Sequence, residues 1–304
     1  MAVFLIVVLV VIVITPGITI KRKIVMKEKE RVEREFFTIR HLYDQNALRA
    51  YGHDAPVKPG QDDILATAAE KIIAELKNLK KVNVRLLYTA KTSRISETAH
   101  LLAEILCRNG VGAIFQHDVR LEVMDQGNLI LPDNYQDGEW FAPLDTAWDA
   151  ICEEAYLNRN IFYRFGDSLN GRYPILARSF SRLGESLGWS LINKYSLIYD
   201  LAHGKLAKDD ELLVIVAQSD LPLIIMELNA LKERPNVTPE NLPYKCWEVY
   251  KSGLQDQMYD KNAVGDGNFD VPMGYVGKFN LSSFAKSGFD LTIKNAGLLL
   301  AERR

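Results

Sequence analysis

The stretch Phe36-Phe37-Thr38-Ile39-Arg40-His41-Leu42-Tyr43 decides the reading of the chain. Lys27 to Glu35 before it is charged and has no apolar face. Phe36 to Ile39 then reads as a short buried strand that runs straight into an Arg-His pair. A strand ending in charge is arriving at a surface. In parallel α/β sheets, that surface beyond the carboxyl ends of the strands is where ligands bind. Arg40 offers a rigid fork of donors suited to phosphate. His41 offers a ring nitrogen that can be neutral near pH 7 and can attack or relay protons. Two solvated residues at a strand end are the plainer reading, and for an isolated pair the preferred one, so the rest of the chain has to decide.

Downstream, strands and helices alternate. Tyr43 to Pro59 is a loop by composition. Asp62 to Lys81 reads as an amphipathic helix with Leu65, Ala68, Ala69, Ile72 and Leu76 at helical spacing. Val82 to Tyr88 is a second strand and Ser96 to Arg108 a second helix, stopped by Asn109-Gly110. Val111 to Gln116 is a third strand. This rhythm predicts parallel pairing with covering helices, a three-layer α/β/α fold with a mostly parallel central sheet. Met124 to Tyr173 breaks the rhythm with prolines, glycines and aromatics. It reads as an inserted cap segment with short helices such as Thr146 to Leu157. Arg178 to His203 returns to helical periodicity, Glu211 to Ala217 is an apolar strand, and Leu221 to Leu231 is helical with Pro222 in its first turn. The tail from Pro235 to Phe279 is turn-rich, with a late hairpin expected between Lys278–Ser282 and Phe289–Lys294.

At the amino terminus, Ala2 to Ile20 carries no charge and is about as long as a bilayer-spanning helix, though Pro16 and Gly17 weaken its last turns. Lys21, Arg22 and Lys23 follow it. The positive-inside rule then predicts a membrane anchor with the main domain in the cytoplasm; a cleaved export signal is the rival reading. Residues 21–34 form a charged linker and 35–304 the folded domain. Across 304 residues, 48% are hydrophobic and 25% charged, an ordinary globular composition. The formal net charge of -2 lacks the basic excess of a general nucleic-acid binder. Three scattered cysteines make no disulfide framework, and no zinc-type spacing appears.

Three pieces together resemble the histidine phosphatase (phosphoglycerate-mutase-like) superfamily. Ile39-Arg40-His41 looks like its strand-end Arg-His-Gly, and Asp54 to Gly60 is similar to the Asp-x-Pro segment before its first helix. Thr89-Ala90-Lys91-Thr92-Ser93-Arg94-Ile95-Ser96-Glu97-Thr98-Ala99 looks like its Ser-Ser-Pro-Leu-x-Arg-Ala-x-x-Thr-Ala, with the arginine and the Thr-Ala at matching offsets. Val216-Ala217-Gln218-Ser219-Asp220 sits where the family has Val-Val-Ser-His-Gly-Gly. The likeness covers roughly Glu35 to Leu231 without the insertion.

The resemblance implies that His41 attacks a phosphoryl group, that Arg40, Arg94 and Gln218 hold its oxygens, and that no metal or other cofactor is needed. The substrate would be a phosphorylated small molecule or a phosphoprotein. The proton donor in the family is often a Glu after the third strand, which points to Glu122, although an ungapped match at Gly127 puts Val123 there instead. A solvated strand-end carboxylate is the other reading of Glu122. Two departures stand out. Leu42 replaces the family glycine and is expected to crowd the nucleophile's backbone. Gln218 replaces the second histidine, and a glutamine can donate to phosphate but carries no charge. That second departure keeps a catalytically weak or inactive phosphate binder as the alternative. Asp220 has two readings, an acid or a helix cap, with the cap preferred.

Overall fold

A computed structural model describes residues 35–42, 56–122, 174–218, 220–250, 252 and 273–303, with backbone alone for 174–187. These residues belong to a compact unit spanning Glu33–Arg304. The amino-terminal segment, most of the Tyr43–Pro59 loop, and the Met124–Tyr173 insertion with its Thr146–Leu157 helix lie outside the described residues. Among the described residues no helix is long and apolar enough to cross a membrane.

Five strands form one sheet: β1 (Glu35–Arg40), β2 (Asn83–Tyr88), β3 (Gly112–His117), β4 (Glu211–Ala217) and β5 (Val276–Asn280). Their order is β3-β2-β4-β1-β5. Every pairing is parallel except β1 with β5. The helices are α1 (Asp62–Asn78), α2 (Ser93–Arg108), α3 (Pro174–Ala202), α4 (Asp220–Leu231), α5 (Leu242–Val249), α6 (Ser282–Ser287) and α7 (Phe289–Glu302).

Alternation along the central strands divides the interior into two cores. On β4, Leu212, Val214 and Val216 face the core shared with α1 and α2. Leu213, Ile215 and Ala217 face the other core, shared with α3, α4, α5, α6 and α7. On β1, Phe37 and Ile39 take the first core and Phe36 the second. Successive strand residues point to opposite faces, so a strand covered on both sides reads as continuously apolar. That is why β4 contains six apolar residues in a row after Glu211. Helices on both faces of a mostly parallel sheet make the three-layer α/β/α architecture.

Three boundaries differ from the expected ones in ways that matter. α2 starts at Ser93, not Ser96, which puts Arg94 in its first turn. The turn-rich tail contains α5, and it ends in β5. The expected late hairpin is absent: β5 pairs antiparallel with β1, Val276 opposite Ile39, and Phe289 onward is helical. Phe289-Asp290-Leu291-Thr292-Ile293 alternates like a strand over five residues. Over a longer window Phe289, Ile293, Ala296 and Leu300 are buried at helical spacing. Gly288 at φ +78° turns the chain between α6 and α7.

Candidate active site

β1 delivers Arg40 and His41 to the carboxyl edge of the sheet, with backbone bonds to both neighbours. The His41 N–H donates to the Ala217 carbonyl (3.0 Å) at the end of β4. The Arg40 N–H donates to the Tyr275 carbonyl (3.0 Å), and the Gly274 N–H to the Arg40 carbonyl (3.1 Å). Gly274 has φ +71°, and a Cβ there would collide with Ile64 Cγ2. Only glycine lets this return pass so close to the first turn of α1.

His41 is 4% exposed. Its Nδ1 lies 2.7 Å from the Leu42 carbonyl oxygen. A carbonyl only accepts, so Nδ1 carries the hydrogen and the neutral ring keeps its lone pair on Nε2. Burial pushes the His41 pKa down to about 3, and the charge of Arg94 adds to this. The Leu42 carbonyl opposes the shift, Arg40 reinforces it, and the Asp220 carboxylate opposes it. The ring is therefore neutral around pH 7, the state a nucleophile needs.

Leu42 does not crowd this arrangement. Its side chain is buried with Val57 and Leu65, against Ile64, Leu101 and Ile105. Its N–H donates to Thr98 Oγ1 (3.1 Å), and that hydroxyl donates to the Arg94 carbonyl (2.6 Å). A continuous chain of bonds thus links the His41 ring, the Leu42 backbone, Thr98 and the backbone of Arg94. Thr98 is fully buried, one helical turn after Arg94. Glu97 beside it accepts from the Val57 N–H (2.6 Å) and ties down the strand-loop segment that covers Leu42.

Arg94, in the first turn of α2, is partly buried. The positive end of the helix dipole and the guanidinium favour an anion at the same place. Gln218 follows directly on Ala217, the residue whose carbonyl holds His41, and is half-buried. β1, β4 and β2 are neighbours in that order, so Arg40, His41, Gln218 and Arg94 all follow adjacent strands at one edge. Glu122 follows β3, the neighbour of β2 in the sheet. It follows the 3₁₀ turn Val119–Leu121, accepts from Lys91 Nζ (2.9 Å), and has His117 Nε2 at 3.8 Å.

Asp220, the first residue of α4, makes no side-chain cap bond to its own helix among the described residues. Its Oδ2 accepts from Ser190 Oγ (2.8 Å) and faces Lys194 Nζ at 3.4 Å, both on α3. The Lys194 side chain is 3% exposed and also donates to the Arg120 carbonyl (3.2 Å). Arg120 in turn bridges Asp118 and Asp200, each at 2.7 Å. The sequence did carry a signal for Lys194: it lies on the stripe Leu191, Tyr195, Ile198, whose members are all buried. A lysine in a buried stripe needs a partner. Thr98 was visible in the Thr-Ala pair, but nothing local assigned it a bond. Among the described residues no group of three histidines, cysteines or carboxylates could hold a metal ion.

No protein-family model matches the chain, and no curated protein matches it. Among solved structures, it is similar to mycobacterial glucosyl-3-phosphoglycerate phosphatase in its native form. That match has 18% identity and a TM-score of 0.39 over 69% of this chain and 84% of that one. The same phosphatase complexed with VO3 gives 16% identity and a TM-score of 0.36, over 69% and 86%. A protein described as mycobacterial hydrolase 1 gives 18% and 0.37, over 69% and 83%.

Proposed function

We propose that the chain is a phosphatase of the histidine phosphatase type, which hydrolyses a phosphate ester through a phosphohistidine intermediate. The observation that carries this reading is the state of His41. It is a buried imidazole whose Nδ1–H is spent on a carbonyl, whose Nε2 is the free nucleophile, and on which two arginine charges act. Nε2 attacks phosphorus and the bond to the ester oxygen breaks. Arg40 and Arg94 hold the non-bridging oxygens and spread the charge that grows during transfer. The Gln218 amide adds a neutral donor. Water then attacks the phosphohistidine, the N–P bond breaks, and inorganic phosphate leaves. Phosphoryl transfer asks mainly for positioning and positive charge, which a buried neutral His41 with Arg40 and Arg94 near it would supply. The substrate is a phosphorylated small molecule or a phosphoprotein. The uncharged Ala2–Ile20 run, followed by basic residues, supports tethering to the cytoplasmic face of a membrane, with export after cleavage as the alternative.

Gln218 favours a second reading, a weak or inactive relative that binds a phosphorylated ligand. Hydrogen bonds to charged groups are worth about 1.5–3 kcal/mol against roughly 1 for neutral ones, so the pocket gives up some grip on the transferring group. The test is to trap phosphoenzyme from the full-length protein under an alkaline quench that preserves phosphohistidine. The phosphoryl group is expected on His41, with none in His41→Ala. Ligand binding that survives His41→Ala, with no phosphoenzyme in the wild type, would establish the binder instead.

A further inference from the structure

We propose that Asp220, held by Ser190 and Lys194, is the group that carries the proton to and from the reacting oxygen, in place of Glu122. The inference rests on His41 being the nucleophile. Four observations carry it. Asp220 lies three residues beyond Ala217, whose carbonyl receives the His41 N–H, so it follows the strand next to the nucleophile. Its Oδ2 is fixed from α3 by the Ser190 hydroxyl and the buried Lys194 ammonium. Its Oδ1 is buried, with no hydrogen-bond partner among the described residues, and is left for a proton from elsewhere. The Asp220 charge also acts on the His41 ring, opposing the two arginines there.

Glu122 shares one of these features, a buried Oε1 with no hydrogen-bond partner among the described residues, but it does not follow the strand next to the nucleophile. It follows β3, three strand positions from β1, which is about 14 Å at the usual strand spacing. Its carboxylate is engaged by Lys91 on one side and approached by His117 on the other.

The chemistry balances in two steps. In the first, Nε2 of His41 bonds to phosphorus, the bond from phosphorus to the ester oxygen breaks, and the proton on Asp220 Oδ1 passes to that oxygen. The alcohol leaves and Asp220 is ionised. In the second, water attacks phosphorus, the N–P bond returns its electron pair to Nε2, and the water proton passes to Asp220. The carboxyl ends as it began. Lys194, behind Oδ2, stabilises the ionised form between the steps.

The test exploits the leaving group. A poor leaving alcohol needs a proton, whereas an acidic phenol departs without one. General acid catalysis is worth about 10²–10⁴-fold. For full-length Asp220→Asn, kcat/KM toward a simple alkyl phosphate should therefore fall by about 100-fold or more. Toward p-nitrophenyl phosphate it should fall by less than about tenfold, and phosphohistidine should accumulate because the second step is slowed. Ser190→Ala, which only loosens the carboxylate, should show the same dependence on leaving group with a smaller loss. Glu122→Gln should leave both substrates nearly unchanged. An equal loss on both substrates for Asp220→Asn would mark a structural role and overturn the proposal. So would the leaving-group pattern appearing in Glu122→Gln and not in Asp220→Asn. A wild type that forms no phosphohistidine would overturn the underlying reading and this one with it, and that outcome is recognisable before any variant is made.

Discussion

The buried neutral His41 makes a sharp prediction about acid stability. The perturbation is pH, with His41→Asn as the reference. Asparagine places an amide nitrogen where Nδ1 sits, so the bond to the Leu42 carbonyl can persist while the titration disappears. In the folded protein the ring protonates only near pH 3; unfolded, it protonates near 6.5. Below 6.5 the unfolded chain takes up a proton that the folded chain refuses, so folding loses stability as pH falls, until the folded pKa is reached. Each pH unit inside that window is worth about 1.4 kcal/mol. From pH 7.5 to pH 4.5, wild type should thus lose about 2.7 kcal/mol from this residue alone, and the asparagine variant none of it. Urea unfolding at the two pH values, followed by circular dichroism, reads the difference between the two proteins directly. Parallel losses in both would refute the argument. They would mean that the ring is charged in the fold, and with it the assignment of a free Nε2 lone pair would fall.

Two further perturbations test what surrounds the site. Thr98→Val strips the acceptor from the buried Leu42 N–H, which should cost about 1–3 kcal/mol in unfolding free energy; kcat should drop more than KM rises, and Thr98→Ser should restore most of both. Equal kcat in Thr98→Val and wild type would show that the bond chain does not position His41. On the opposite pH limb, burial among apolar side chains raises the Glu227 pKa from 4.5 to about 8, with the Cys246 thiol as hydrogen-bond partner. Its neutral form favours folding fully below 4.5, and that contribution is lost as pH rises through 8, by up to about 5 kcal/mol. Glu227→Gln should therefore lose less stability than wild type as pH rises from about 4.5 to about 8 in the same unfolding assay, and an unchanged slope over that range would place the charge elsewhere.

The central sheet was legible because both its faces are covered. A parallel strand buried on two sides calls for a nearly continuous apolar run; Leu212–Ala217 supplies one, and Phe36–Ile39 supplies another interrupted only by the buried Thr38. α1 and the two strands flanking α2 were found within a few residues for the same reason, apolar periodicity being a local property. The start of α2 was missed because Ser93-Arg94 is polar and adds nothing to the apolar periodicity. β5 was half found: Lys278–Ser282 reads as a strand, but one paired with Phe289–Lys294. Its actual partner is the open hydrogen-bonding edge of β1, more than 230 residues earlier. Nothing local near position 276 announces that edge. For the candidate site, Arg40, His41, Arg94 and Gln218 came from their order along the chain, and all follow neighbouring strands. Asp220, the proposed proton carrier, reads from sequence as an acid or a cap with the cap preferred, because its partners lie on α3 and the helix pattern of α3 says nothing of what it faces.

The two departures from the family pattern turn out to be different in kind. Leu42 is absorbed by packing: its side chain fills a small core with Val57 and Leu65, and its backbone gains a buried acceptor in Thr98. A glycine could make the same backbone bonds, but its extra freedom would cost entropy on folding, so leucine makes the nucleophile's support stiffer. Gln218 alters charge, and packing cannot compensate for that. In the proposed phosphate site it leaves Arg40 and Arg94 as the cations, while the Asp220 carboxylate is paired with Lys194. A second histidine would have to be protonated to add to this set, beside two arginines that already push a neighbouring imidazole toward neutrality. In such surroundings, a neutral amide donates at every pH, whereas a histidine donates as a cation only while a bound phosphate holds its proton in place. In the proposed phosphatase the glutamine would therefore trade peak charge stabilisation for a donor that needs no proton, beside a His41 ring that stays neutral far into acid.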